Sequence, residues 1–252
     1  MAKRNLVTST KRDEVARVLE KAILTGLLRP GTRLQEMKLA SEMKVSQACI
    51  REALQELEGF GLVIKYSNRG SFVMNLTNQD LLQIYQVRRQ LEPLACALAA
   101  PQLREEEVES LQDCLREMHA NAKNGDYRAY VDADFRFHRL IWESQPNRHL
   151  EKSLKAICLQ LFAGDLVRRR STCTYNFSRG VKQHQLILNA LKTGDAKLSA
   201  RIVQRILDRF LRQDVSDYYK LRKTVDEADQ DEEDPFAFLR DSFSSGSSRI
   251  PI

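Results

Sequence analysis

Hydrophobic residues recur at helical spacing in the first quarter of the chain. The first such run contains Val15, Val18, Leu19, Ala22 and Ile23, at the intervals of three and four that are typical of an amphipathic helix. We therefore predict helices at 12–25, at 35–43 and within 45–63, the stretch VSQACIREALQELEGFGLV. The third helix opens with Ser46 as its N-cap.

The period changes after the third helix. Residues 62–66 and 71–75 have strand-like composition, and they flank the polar turn Ser67-Asn68-Arg69-Gly70, which predicts a β-hairpin. Three helices followed by a hairpin are the outline of a winged helix-turn-helix, whose second motif helix enters the DNA major groove. We expect this DNA-binding domain to occupy residues 1–76.

Helical patterns continue through most of the remaining chain. The candidate helices are 79–100, 105–123, 126–143, 148 to about 169, 178–192 and 195 to about 221. Because this part carries no strand signal, residues 77–224 are predicted to form an all-α bundle. The fold class is thus mainly α. The acidic, serine-rich tail at 225–252 is predicted to be disordered.

Charge and cysteine content narrow the function classes. The 252-residue chain carries a net charge of +6, and residues 1–77 hold 13 Lys+Arg against 8 Asp+Glu, so the basic surplus lies in the predicted DNA-binding domain. The five cysteines are an odd set without a CxxC pair, which favours a reducing compartment over a disulfide framework. Without a signal peptide or long apolar run, we expect a cytoplasmic protein without a membrane partner.

The third helix presents side chains suited to reading bases. Ser46, Gln47 and Arg51 lie near its start, and arginine and glutamine bond guanine and adenine through two atoms each. At the hairpin, Asn68, Arg69 and Gly70 are placed to contact a minor groove or phosphates. The set of DNA-contact candidates also includes Arg33 and Lys38. The alternative interpretation is an ordinary surface helix with solvated charges.

Several segments resemble one known family. AILTGLLRPGTRL, LASEMKVSQACIREALQELEGFGLV and NRGSFV resemble the DNA-binding domain of GntR-family bacterial transcription regulators. QVRRQLEPLACALAA, DADFRFHRLIWESQPNRHL and HQLILNALKTGD resemble the FCD ligand-binding domain of the FadR-like branch. The resemblance implies a homodimer on a pseudo-palindromic operator, with Arg51 contacting a base and Arg69-Gly70 forming the wing contact. The chain departs from the family at two positions. Arginine or lysine is usual where this chain has Gln47, and arginine is usual where it has Met37.

The predicted helix 126–143 carries two polar residues on its apolar face. Asp134 and His138 are four residues apart and stack on adjacent turns. A buried carboxylate is costly unless it is paired or coordinates a metal. His184 lies on the apolar side of its own helix. The resemblance implies that these three residues bind a divalent metal together with a histidine of the last helix, at a position where this chain has Ile206. Isoleucine cannot ligate, and we expect Ile206 on the same inward face as Leu198, Ile202 and Phe210.

Three interpretations of this trio remain open. One is a divalent metal (Zn, Ni or Mn) whose coordination shell is completed by water or by a carboxylate of the effector. Another is direct binding of an effector by the polar groups without metal. The third is a structural role, with Asp134 paired to a buried arginine. For an acid effector, Arg88 is the expected cation, because it follows Tyr85 by three residues and matches an arginine that often faces the FCD cavity.

These patterns predict a ligand-responsive transcription repressor that senses a small carboxylic acid. An enzyme with a catalytic metal at the trio is the competing class, but the chain has no HExxH or nucleophile motif, so we do not expect an enzyme. A structural DNA-binding protein with an inactive second domain is the remaining alternative. It predicts that no ligand alters DNA affinity.

Overall fold

The structure is a computed structural model of the chain, and it describes residues 10–169, 177–214 and Phe236. The chain divides into two compact units: Met1–Asn75 with Asp231–Ile252, and Leu76–Gln230. In chain order the elements are α1 (Lys11–Leu24), β1 (Arg33–Leu34), α2 (Glu36–Met43), α3 (Gln47–Gly59), β2 (Val63–Tyr66), β3 (Gly70–Val73), α4 (Asn78–Ala99), α5 (Glu105–Asn124), α6 (Tyr127–Ser144), α7 (Arg148–Arg169), α8 (Phe177–Lys192) and α9 (Ala196–Arg209).

The first unit is built on the packing of α1 against α3. The predicted apolar stripe of α1 is its buried face, and α3 supplies Ile50, Ala53, Leu54 and Leu57 from the opposite side. A capping box formed by Thr10 and Asp13 starts α1. These two helices therefore form the core of the first unit, and α2 packs against α3.

A tight turn joins α2 to α3. Lys44 ends α2 in the left-handed conformation, with φ of 52°, and its N–H bonds carbonyls of the preceding turn. The predicted N-cap of α3 is confirmed, because the Ser46 hydroxyl accepts a hydrogen bond of 3.2 Å from the Cys49 N–H. The helix-turn-helix thus exposes the first turn of α3.

The predicted hairpin is present as β2 and β3, and a third strand joins it. The sheet order is β1-β3-β2, with both pairs antiparallel and Phe72 opposite Arg33 and Ile64. Asn68 and Gly70 take positive φ at the hairpin turn, 59° and 91°, which glycine and asparagine tolerate best. No strand is predicted from the sequence at Arg33–Leu34, since two residues are too few to show a period.

The second unit is a bundle of α4 to α9. Helix α4 packs against α9, α7 and α6, while α5 packs against α6 and α8. Asp126 and Asp195 cap α6 and α9, as their side chains accept N–H bonds from the first turn. None of the helices in the described part of the chain is both long and apolar enough to cross a membrane.

The last helix differs from its prediction. Its α-helical geometry ends at Arg209, a π-helical turn follows at Phe210–Asp214, and residues 215–221 lie outside the described residues. Its fully buried face contains Ser199, Val203 and Leu207. The residues predicted to face inward are only half-buried: Leu198, Ile202, Ile206 and Phe210. The most buried face of α9 therefore lies about one position from the predicted one, and α9 packs against both α4 and α8.

The tail predicted at residues 225–252 has one described residue. Apart from Phe236, residues 225–252 lie outside the described residues. Phe236 itself is 1% exposed and ranks among the largest fully buried side chains of the described residues. The disorder expected for the tail as a whole stays a prediction. The tail is acidic and serine-rich, but it contains Phe236, and burial of an aromatic side chain contributes favourable free energy.

Candidate functional site

Gln47 and Arg51, two of the predicted base-reading side chains, lie one turn apart at the start of α3, and both donate to the carboxylate of Glu36. Gln47 Nε2 donates to Glu36 Oε2 at 2.9 Å, and Arg51 donates to the same oxygen from Nη2 at 2.9 Å and from Nε at 3.3 Å. Glu36 begins α2, eleven residues before Gln47. Sequence reasoning missed this carboxylate because no local pattern links two residues across the helix-turn-helix.

The bond to Glu36 fixes the orientation of the Arg51 guanidinium while leaving it accessible. The bond raises the pKa of Arg51, and the same bond is the largest cause lowering the pKa of Glu36. The Arg51 side chain is 53% exposed. Glu36 takes the Nε–Nη2 edge, and no acceptor among the described residues takes the Nη1–Nη2 edge. That edge is therefore available for a second bidentate acceptor, as on guanine.

The other DNA-contact candidates divide between the wing and α2. At the wing, the Arg69 guanidinium lies 5.8 Å from the centroid of the Tyr66 ring. Arg33 on β1 lies beside Gly70, since its guanidinium is 3.8–3.9 Å from where a Gly70 Cβ would stand. Lys38 is on α2, with its ammonium 5.0 Å above the ring centroid of Phe236. Asn68 forms the wing tip together with Arg69.

In the second unit, α6 and α8 bring Asp134, His138 and His184 together. The Nε2 of His184 lies 2.9 Å from Asp134 Oδ1 and 3.2 Å from His138 Nε2, and His138 Nε2 lies 3.4 Å from Asp134 Oδ1. Both histidines are buried, and the aspartate is half-buried. The sequence-predicted trio is therefore a tight triangle of ligand atoms.

The hydrogen bond on the far side of His184 defines its chemistry. Its Nδ1 lies 2.8 Å from the Gly180 carbonyl oxygen, which can only accept, so Nδ1 carries the proton. If the ring is neutral, Nε2 carries no proton and its lone pair points at the Asp134 carboxylate. The lone pair and the carboxylate then repel each other. The arrangement requires a positive species at Nε2, either a proton or a metal ion.

The pKa shifts follow from burial and charge. Burial lowers the pKa of His138 to about 4, so this ring is neutral at ordinary pH. Burial also opposes ionisation of Asp134 and His184, but their mutual attraction outweighs it, lowering the pKa of Asp134 and raising that of His184. The triangle thus contains a carboxylate and one neutral imidazole.

The triangle fits a first-row divalent metal. Bonds of about 2.0–2.1 Å place neighbouring ligand atoms about 2.9–3.4 Å apart in tetrahedral and octahedral shells. The three measured separations span the same range, and the N/O donor set suits zinc, nickel or manganese. Among the described residues, no fourth His, Cys, Asp or Glu joins this group. Ile206, at the expected fourth position, is half-buried and has no ligating atom.

Arg88 and Tyr85, the other predicted effector-binding residues, are both buried, and Arg88 is already paired with a carboxylate. Arg88 is 5% exposed, and its Nε donates to Glu92 Oε1 at 2.7 Å. Tyr85 lies against the Arg88 guanidinium, 4.8 Å from ring centroid to Cζ, and stacks on Phe210. Glu92 also lies 3.9 Å from His138 Nδ1. Burial raises the pKa of Glu92, but the charge of Arg88 outweighs it and the net pKa is lowered.

Glu92 was missed from the sequence although a signal was available. Arg88 and Glu92 are four residues apart on one helix, the spacing of an ion pair on a helix face. The periodicity of α4 does not show that both members point inward. The structure therefore shows that the Glu92 carboxylate neutralises Arg88, the cation predicted for the effector site.

Comparison with known proteins finds the same two parts. Residues 11–73 match the family model "Bacterial regulatory proteins, gntR family", and residues 83–209 match the FCD domain. The HTH-type transcriptional regulator YdhC of Bacillus subtilis (strain 168) is 34% identical over 140 residues, 55% of this chain and 62% of that protein, so the match spans less than two thirds of that relative. The gluconate operon transcriptional repressor of Bacillus licheniformis is 29% identical over 197 residues, 77% of this chain and 81% of that protein.

Solved structures agree on the fold. The structure of E. coli McbR/YncC has a TM-score of 0.72 and 21% identity, and it covers 83% of this chain and 99% of that one. At this identity the likeness concerns the fold alone. It supports a helix-turn-helix unit followed by a helical bundle.

Proposed function

The chain belongs to the gntR family of bacterial regulatory proteins and carries an FCD domain, and from this premise we propose how it reads DNA and senses a ligand. It is a DNA-binding transcription regulator with an effector-binding domain, and its relatives are regulators and not enzymes. We propose that it acts as a repressor, with domains at 1–76 and 77–224. The sensing proposal depends chiefly on the Asp134–His184 contact, which requires a cation.

DNA reading rests on the Glu36–Arg51 pair. A guanidinium held on one edge by a carboxylate loses less conformational entropy when its other edge bonds guanine O6 and N7. Ser46 and Gln47 lie on the same exposed turn and contact neighbouring bases or phosphates. At the wing, Arg33 and the segment Asn68-Arg69-Gly70 contact the phosphate backbone and the minor groove, which sets orientation more than sequence. Lys38 is the additional cation on α2.

We propose a homodimer through the outward face of α4. Val87 and Leu94 lie two turns apart on this face and are 42% and 45% exposed, so both leave apolar surface in contact with water. A second copy that packs on this row removes it from water. A two-fold dimer reads a pseudo-palindromic operator whose half-sites are about one helical turn apart.

The cluster of Asp134, His138 and His184 is proposed to hold one divalent metal. When bound, the metal supplies the positive charge that the His184–Asp134 contact requires and accepts a carboxylate oxygen from the effector. Because Arg88 and Glu92 neutralise each other, a divalent ion beside Asp134 leaves one positive charge in the pocket. A monoanionic carboxylic acid balances that charge. Arg88 and Tyr85 then line the effector site through donors and ring surface, with the metal as the anchoring cation.

Effector and operator binding are coupled. A ligand that binds one DNA-binding arrangement better than another changes operator affinity, and by linkage the operator changes ligand affinity by the same factor. The gluconate operon repressor is one of the relatives, and sugar acids are a suitable first panel of effectors.

The test begins with selection of an operator. The full-length protein is incubated with a pool of random-sequence duplexes, and bound DNA is sequenced after several rounds. Enrichment of a two-fold symmetric site supports the proposal, whereas no enriched sequence contradicts it. Affinity for the selected site is then measured with a panel of carboxylic acids, with metal present and after chelation. An acid that shifts operator affinity only in the metal-loaded protein supports the sensing proposal. If the acid shifts operator affinity equally after chelation, it binds without a metal.

A further inference from the structure

Helix α9 of the effector domain carries a row of exposed cations opposite its fully buried face. The row contains Lys197, Arg201, Arg205 and Arg209, at intervals of four residues, and all four are exposed. Because successive residues of an α-helix are rotated by about 100°, these side chains lie on one side of α9. At 1.5 Å of rise per residue, the row is about 18 Å long. These four residues form the basic stripe.

The charge of the basic stripe is not neutralised by its surroundings. Among the described residues, no carboxylate forms an ion pair with any of its four cations, whereas three arginines elsewhere in this domain are each paired with an acid: Arg104, Arg116 and Arg136. Asp208 is the only acidic residue of α9, and it already pairs with Arg89 on α4. The stripe therefore presents uncompensated positive charge to solvent.

This arrangement opposes the stability of the helix that carries it. Like charges four residues apart on a helix repel each other, and the basic stripe contains three such pairs. Lys197 also lies in the first turn, where the helix dipole disfavours a cation. A surface that serves only solubility usually mixes both signs of charge. A regular row of one sign is expected where an anionic partner offsets the repulsion.

The basic stripe is also a local feature of the effector part of the chain. Of the net charge of +6, residues 1–77 carry +5, so all the remaining residues together carry only +1. Acidic residues elsewhere in that part therefore balance most of its cations. The stripe concentrates four cations on one helix face without such balance.

We propose that the basic stripe of α9 binds the phosphate backbone of duplex DNA, as a second and sequence-independent contact made by the effector domain. Each DNA strand carries one phosphate per about 3.4 Å of helix axis, so a row about 18 Å long spans about five phosphates. Four regularly spaced cations can neutralise most of that charge. This inference rests on the proposed DNA binding of the first unit, which brings the protein to duplex DNA.

Duplex DNA fits the basic stripe better than an acidic protein surface does. Within α9, which is described throughout, no large apolar side chain is exposed: Leu198, Ile202 and Ile206 are half-buried, and Val203 and Leu207 are buried. Protein–protein interfaces have an apolar centre that is depleted of charged residues. Protein–DNA interfaces are more polar and much more positively charged. The stripe has the second composition.

The salt dependence of DNA binding measures the number of phosphate contacts. The full-length protein and a stripe variant (Arg201→Gln, Arg205→Gln and Arg209→Gln) are compared on a random-sequence duplex by fluorescence anisotropy, between about 50 and 200 mM salt. Each lost phosphate contact makes the slope of log K against log salt shallower by about 0.9, so the stripe variant should lose up to about 2.7 per chain. Glutamine is a good helix former and removes the like-charge repulsion, so this variant should fold.

A matched control variant removes the same charge elsewhere on the effector domain. It carries three changes at exposed cations of α5 and α7: Lys123→Gln, Arg148→Gln and Lys152→Gln. Its net charge equals that of the stripe variant. Its slope should stay close to that of the unchanged protein, because these cations are not on the stripe.

Lysine acetylation gives a second readout, which locates the contact. The unchanged protein is treated with acetic anhydride, free or saturated with the duplex, and the modified lysines are quantified by mass spectrometry. Lys197 should be several-fold less reactive in the saturated protein. Lys123 and Lys152 should react equally in both samples, since they lie off the stripe.

Three outcomes would overturn the proposal. Equal slopes for the stripe and control variants show that only total charge matters. Equal acetylation of Lys197 in free and saturated protein shows that duplex DNA does not cover the stripe. A stripe variant that keeps its slope but self-associates less assigns the stripe to an acidic surface of a second copy. If even the unchanged protein does not bind the duplex at about 50 mM salt, the proposed function fails as well. Normal affinity with an unaltered slope in the stripe variant contradicts this inference alone.

Discussion

Arg88 and Glu92 form a buried ion pair one turn apart on α4, with Nε and Oε1 2.7 Å apart. Neither side chain is more than 6% exposed. The carboxylate thus neutralises the cation that the sequence suggested for an acid effector. Because the pair is neutral as a whole, it adds no net charge beside the neighbouring Asp134 cluster.

Removing one member of this pair should destabilise the effector domain. Arg88→Met leaves the buried Glu92 carboxylate without its cationic partner, and loss of one partner of a buried pair typically costs about 3–5 kcal/mol. We expect that decrease in the free energy of unfolding, measured by urea denaturation with far-UV circular dichroism. The double variant Arg88→Met/Glu92→Met should recover most of it, since an apolar pair of similar volume is tolerated. Equal losses in the single and double variants would contradict a charge effect.

Glu36 is expected to contribute specificity more than affinity. Glu36→Ala frees Arg51 and Gln47 from their shared carboxylate and removes a negative charge from the DNA surface. Binding to the selected operator should therefore weaken relative to random duplex, by on the order of tenfold if one bidentate base contact loses its orientation. Binding to random duplex at low salt should tighten.

Competition binding of both duplexes measures this discrimination ratio. Glu42→Ala is the matched control, because Glu42 also lies on α2 and its removal changes the net charge equally. The prediction fails if Glu42→Ala changes the discrimination ratio as much as Glu36→Ala does.

Metal content should depend on the triangle of ligand atoms. Purified, tag-free protein is expected to contain about one divalent ion per chain, as one three-residue ligand set binds one ion. His138→Ala and His184→Ala should lose it, measured by elemental mass spectrometry. His149→Ala should retain it, since this histidine is exposed on α7. A metal-free unchanged protein that also fails to take up zinc on dialysis would assign the positive charge at His184 to a proton.

The exposed row on α4 should control oligomeric state. Each chain has a mass of 29.0 kDa, and light scattering after size exclusion should give twice that value for the unchanged protein. Val87→Glu/Leu94→Glu places two like charges per chain in the proposed interface and should yield monomers. Leu186→Glu changes a comparably exposed leucine, 51% exposed on α8, and should leave the dimer intact. Dimers that persist in the double variant would place the interface elsewhere.

Local periodicity determined much of this protein. The apolar stripe of α1, the N-cap at Ser46 and the hairpin turn at Asn68 and Gly70 depend on residues a few positions apart, and all are found as the sequence predicts. Asp134 and His138 were identified for the same reason, because a polar residue on an otherwise apolar face is visible within one helix.

Contacts between distant residues were decided only by the tertiary structure. The bond between Glu36 and Arg51 spans fifteen residues across a turn, and β1 exists only because β3 pairs with it. The face of α9 that is buried was set by two neighbouring helices at once, which moved the inward position from Ile206 to Val203 and Leu207. Phe236 of the acidic tail is buried, and the Lys38 ammonium that lies over its ring comes almost two hundred residues earlier in the chain. A sequence pattern shows on which face of its own helix or strand a residue lies. Only the packing of helices and strands determines what that face contacts.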